Sequence, residues 1–110
     1  MEDEEKILIE VLQDGLANVS EKDDAAMDLS EYDSPEVIQA LISKGSDDHE
    51  DPVVLNSCGE SLAEIWLRKD FFDKRVFDSL HPGTKQGFLF FIESTKPGWR
   101  KLELPLSEEE

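Results

Sequence analysis

Apolar residues recur three or four positions apart through most of the chain, the spacing that places them on one face of a helix. Ile7, Leu8, Val11, Leu12 and Leu16 form the first such stripe, with Gly15 set to weaken its last turn. A second, shorter helix is expected from SEKDDAAMDLSEY, where Ser20 and Asp23 approximate a capping pair and Ala26, Leu29 and Tyr32 face inward. The stretch SPEVIQALISKG predicts a third, with Ser34 as cap, Pro35 in the first turn, Gly45 at the end and Val37, Ile38, Leu41 and Ile42 buried. The fourth starts at Asp51 and Pro52 and carries the longest stripe, Leu55, Cys58, Leu62, Ile65 and Trp66. Its opposite side holds Glu60, Glu64 and Arg68 at intervals of one turn.

Beyond Trp66 the pattern is less regular. FFDKRVFDSL predicts a short helix with Phe72, Val76, Phe77 and Leu80 inward, HPGT reads as a turn, and QGFLFFIEST suits a helix or a short strand. KPGW could reverse the chain into a hairpin, so an α+β fold with a C-terminal β-hairpin over residues 86–104 is the alternative. No earlier segment supplies a sheet for that hairpin to join, and the expected class is all-α. PEVIQAL and PVVLNSC start alike and lie 17 residues apart, as two arms of a helical hairpin would. Such hairpins stack because one alone cannot bury its apolar face. The 110 residues suit a single helical domain, with acidic ends expected to fray at about residues 1–4 and 106–110.

Charge adds what periodicity cannot. The net charge is -16, well beyond the magnitude of roughly 2–8 that suffices for solubility. Residues 1–64 hold all of the imbalance, with only Lys6, Lys22 and Lys44 as bases, whereas acids and bases balance in residues 65–110. This field repels nucleic acid and anionic membrane surfaces and attracts a basic partner. No apolar run approaches a membrane span, the N-terminus is acidic where a secretory signal is basic, and a single cysteine suits a reducing compartment, so the cytoplasm is the expected location.

Candidate chemistry is sparse. Cys58 sits on a buried stripe and His81 in a proline turn, which argues against a nucleophile–base pair. GSDDHEDP (residues 45–52) concentrates four carboxylates and His49, but it lacks the central glycine of a calcium loop and is cut short by Pro52. A single imidazole among carboxylates is also a poor zinc site. The stretch reads as a hairpin connection with Asp51 as cap, and no metal, cofactor or catalytic residue is assigned. The acids read instead as a binding rim: Asp23, Asp24, Asp28, Glu31, Asp33, Asp47, Asp48 and Glu50, with Tyr32 among them as an amphipathic anchor.

LSEYDSPEVIQALI followed by DPVVLNSCGESLAEIW resembles short HEAT-like helical repeats. The compact acidic format is similar to immunity proteins of bacterial contact-dependent growth inhibition and related polymorphic toxin systems, particularly those that block basic ribonuclease toxins, including toxins with an RNase A-like fold. The resemblance implies a short HEAT-like solenoid, no catalysis, and a monomer that neutralises a cognate basic toxin domain in a one-to-one complex by covering its active site. The alternative is an acidic helical-repeat adaptor or nucleic-acid mimic that binds a basic cellular protein.

Overall fold

The computed structural model describes residues 2–99 and residue 101. Among them are six α-helices: α1 (Glu2–Gln13), α2 (Val19–Asp28), α3 (Pro35–Gly45), α4 (Pro52–Lys69), α5 (Lys74–Ser79) and α6 (Pro82–Thr95). A 3-10 turn at Leu29–Glu31 follows α2, and no strand occurs among the described residues. The fold is all-α. Residues 86–95 belong to α6, so the alternative hairpin loses its first arm; residue 100, residues 102–104 and the acidic tail 106–110 lie outside the described residues.

Local sequence sets most helix boundaries. The Ser34 hydroxyl accepts the Val37 N–H at 3.2 Å, and the Asp51 carboxylate accepts the Val53 N–H at 2.9 Å. Pro35 and Pro52 follow these caps in the first turn, where a missing N–H costs nothing. α2 begins earlier than expected. Asn18 rather than Ser20 is its cap, accepting the Glu21 N–H at 2.8 Å while Glu21 accepts the Asn18 N–H at 3.1 Å. That reciprocal pair satisfies two orphan donors, whereas Asp23, the expected partner of Ser20, accepts the Ser57 hydroxyl of α4. α4 ends at Asp70, whose backbone is left-handed (φ 54°), with the Phe71 N–H returning to the Trp66 carbonyl at 2.9 Å.

HPGT is the start of α6 and not a free turn. His81 Nδ1 accepts the Gly83 N–H at 2.9 Å and Pro82 occupies the first turn. The His81 N–H and the Thr84 hydroxyl both donate to the Gly45 carbonyl, at 2.9 and 2.7 Å. The beginning of α6 is thereby fixed to the end of α3.

α4 is the axis of the molecule, enclosed on nearly every side. Its predicted stripe is buried in full, and Val54, Ser57, Gly59, Ser61 and Ala63 are buried as well. α2 and α6 flank it, α3 packs beside it, and α1 lies on α2 and α3. At the α4–α6 crossing two glycines face the opposite backbone. A Cβ on Gly59 would stand 2.0 Å from the Thr84 carbonyl oxygen, and one on Gly87 would stand 2.3 Å from that of Asn56. Only hydrogen at both positions lets these helices approach so closely.

Around the far end of α4, Trp66 meets Phe71, Phe72 and Phe88 edge-on at centroid distances of 5.3–5.8 Å. Trp99 joins this cluster through Phe72 and donates its indole N–H to Asp70 at 3.3 Å. α1 contributes less to the core. Leu12 is its fully buried residue, whereas Ile7 and Leu16, both placed on the expected stripe, are exposed. No helix among the described residues is long and apolar enough to cross a membrane.

Candidate protein-docking surface

The acidic residues singled out from the sequence fall into separate groups. Loops between successive antiparallel helices alternate between the two ends of the bundle. α3 separates its flanking loops by about 16 Å, at 1.5 Å per residue. At one end, Lys22 of α2 reaches Glu50, so Asp47, Asp48 and Glu50 gather near the start of α2. At the other, Arg68 of α4 donates to the Ser30 and Tyr32 carbonyls, 3.2 Å each, marking the place of Asp28, Glu31, Tyr32 and Asp33.

Three of the acids have internal partners. Glu50 has a side chain only 5 % exposed, pairing with Lys22 at 3.0 Å and Lys44 at 3.2 Å. Burial alone would raise its carboxyl, but the two ammonium groups and the Asp51 N–H outweigh it and hold the group below the ordinary glutamate range. Asp23 accepts the Ser57 hydroxyl of α4. Asp47 is held low by the His49 N–H and by Lys44, with part of its side chain open to solvent. Asp24, Asp28, Glu31, Asp33 and Asp48 are exposed.

The Lys22–Glu50–Lys44 cluster changes the electrostatics of the acidic half. Lys22 and Lys44 are two of the three bases in residues 1–64, and one buried glutamate holds both. Lys6, the third, lines an open groove of about 870 Å³ between α1 and α3, together with Glu5, Glu10 and Glu36. On the other side of α1, no base lines the groove among the described residues. This open groove of about 370 Å³ runs between α1 and α2, floored by Leu8, Val11, Ala17 and Ala25 and edged by Asp14, Glu21, Asp24 and Asp28.

Helical geometry explains this arrangement. Asp23 and Ala26 turn toward α4, the latter through its carbonyl, which accepts the Ser61 hydroxyl at 2.6 Å. Glu21, Asp24 and Asp28, at intervals of three and four, then share the side of α2 turned toward α1 and solvent. Tyr32 lies beyond the end of α2, half-buried in extended backbone. Partial burial and the Glu4 carboxylate beside its hydroxyl push its phenol above the usual range, so the ring is neutral.

Asp14 and Glu21 did not stand out in the sequence as surface candidates. The signal that finds Glu21 is spacing, because Glu21, Asp24 and Asp28 stand three and four apart in a helix that begins at either Asn18 or Ser20. The positions of Cys58 and His81 also follow from the fold. Cys58 is fully buried and its thiol is pushed up to about 12, while His81 uses Nδ1 in a helix cap. Among the described residues no group of three His, Cys, Asp or Glu side chains is placed to hold a metal ion. No family model, curated protein or solved structure matches the chain.

Proposed function

We propose that this chain is a non-catalytic binding protein whose acidic half docks on a basic protein, specifically an immunity protein that neutralises a basic nuclease toxin in the cytoplasm. The observation that carries this reading is the sequestration of Lys22 and Lys44 by Glu50. With Lys22 held by Glu50 and Lys44 by Glu50 and Asp47, the exposed carboxylates along α2 and the adjoining loops carry the net negative charge of residues 1–64. Such a charge accelerates encounter with a cationic surface.

The active site of a ribonuclease gathers lysine and arginine to hold RNA phosphates. Exposed carboxylates of the immunity protein would occupy those cations in place of phosphate, and its bulk would exclude RNA. One copy per toxin domain suffices for this. The α2–α4–α6 row and the α1–α3 contact are compatible with the stacked hairpins that the HEAT-like resemblance implies.

Co-expression with the product of the gene immediately upstream tests the proposal. The expected result is a one-to-one complex with a basic nuclease domain, loss of its RNA cleavage, and an association rate that falls steeply with salt. A neighbour that is neither basic nor a nuclease and forms no complex would overturn the immunity reading. Binding that is indifferent to salt would overturn the electrostatic one.

A further inference from the structure

We propose that the groove between α1 and α2 receives a cationic amphipathic helix of the protein partner, a proposal that rests on the acidic-docking reading and deepens it. Three observations converge on this occupant. The groove has an apolar floor, formed by Leu8, Val11 and Ala25 with Ala17 at one end, so it offers burial as well as charge. Among the described residues its edges carry Asp14, Glu21, Asp24 and Asp28 and no base, whereas the wider α1–α3 groove includes Lys6. It also lies on the side of α2 turned away from α4, the side left open once Asp23 and Ala26 have engaged Ser57 and Ser61.

The spacing of the edge selects a helix over an extended peptide. Glu21, Asp24 and Asp28 rise along α2 by about 4.5 and 6 Å. A helix laid alongside presents lysines or arginines at i, i+3 and i+7 with the same increments. An extended strand repeats each face every 6.6–6.8 Å or so and drifts out of step by the third residue. It would also need a sheet edge to satisfy its backbone, and the described residues contain none. The leucine- or valine-like residues between the cations of such a helix would reach the floor at Leu8 and Val11, and its cations would meet carboxylates on both edges.

The probes are a synthetic amphipathic helix of leucine and lysine, about four turns long, and a scrambled peptide of the same composition. Binding is followed by backbone amide chemical shifts of the intact chain. The amphipathic peptide is expected to move the amides of Leu8, Val11 and Ala25 and to bind about tenfold tighter than the scrambled one, the equivalent of burying one further leucine. Exchanging Asp24 and Asp28 together for lysine should abolish that preference, while the equal charge change Glu36→Lys with Glu93→Lys should leave it. All four positions are exposed, so both variants are expected to fold.

Equal affinity for the two peptides, or equal losses in the two variants, overturns the groove while leaving the acidic-docking reading in place. Failure of both peptides to bind overturns the groove as well. The acidic-docking reading is then decided separately by the complex with the upstream basic protein.

Discussion

The α4–α6 pair and the α1–α2 hairpin solve the same problem, joining two helices, in opposite ways. α4 and α6 meet backbone to backbone through Gly59 and Gly87, and an aromatic cluster joins Trp66 of α4 to Phe88 of α6. α1 and α2 keep a groove between them and line it with carboxylates. The first pair devotes its surface to close contact. The second leaves apolar floor and charge open to a partner and tolerates the repulsion this brings. The fold therefore sets a stabilising pair, whose α4 itself begins within the acidic residues 1–64, against a presenting hairpin that lies wholly within them.

The strongest challenge to this contrast is to add one methyl group on the stabilising side. Gly59→Ala or Gly87→Ala places a Cβ against a carbonyl oxygen of the facing helix, which cannot move without separating α4 from α6. The expected loss is about 3 kcal/mol or more by urea denaturation, far above the gain of roughly 1 kcal/mol in helix propensity. Gly15 has no heavy atom near its hypothetical Cβ, so Gly15→Ala should stay within about 0.5 kcal/mol of the parent. If Gly59→Ala were also neutral, the close crossing would not be what holds α6 in place.

Truncating buried apolar side chains probes the pair and the hairpin directly. Phe88→Ala should cost about 4 kcal/mol and Leu12→Ala about 2–3 kcal/mol. Both side chains are fully buried, but Phe88 contacts Trp66, Phe72 and Phe77, whereas Leu12 is the fully buried residue of a helix at the margin of the core. Equal losses would mean that α1 is as firmly held as the aromatic end.

The same contrast explains what could be read from the sequence. α3 and α4 were legible to their caps, because Ser34-Pro35 and Asp51-Pro52 combine a side-chain acceptor with a residue that needs no N–H partner. Their stripes are regular because each helix buries a broad face. Ile7 shows that a marginal helix buries a narrow face, which hydrophobicity alone does not locate, and Leu16 lies beyond the end of α1 at Gln13. The α6 start was missed because His81 caps through a ring nitrogen and its anchorage depends on Gly45, 36 positions away. Likewise, the charge asymmetry was plain, but the acids' division between two ends and the groove depends on how the helices reverse. Glu50 could not be distinguished from its acidic neighbours until the fold brought Lys22 and Lys44 to it.

That buried cluster, which holds Lys22 of α2, provides a pH test on the presenting side. Glu50→Gln leaves two ammonium groups facing a neutral amide and should cost about 2 kcal/mol at neutral pH. The folded carboxyl titrates below its ordinary value, so its stabilisation is fully present above the unfolded value of about 4.3. It is lost as pH falls through the depressed folded value. Chemical denaturation at a series of pH values should show the gap between parent and variant widest at neutral pH and closing in acid. A gap that does not narrow would mean that the charge of Glu50 contributes nothing.

The smallest effects belong to the presenting face, and their sign carries the information. Asp24 and Asp28 are exposed and line the groove with Asp14 and Glu21, with no base along it among the described residues. Asp24→Asn and Asp28→Asn should each raise the melting temperature by about 1 °C at low salt, because each relieves repulsion among like charges. Added salt should raise the parent's melting temperature by screening the same repulsion, and the advantage of the variants should shrink accordingly. A residue kept for stability would behave in the opposite way, since its removal would lower the melting temperature at every salt concentration. The matching measurement is the association rate with a basic partner, where the same substitutions should slow binding at low salt and matter little at high salt. Stability gained while association slows is the pattern expected if these carboxylates are maintained for docking.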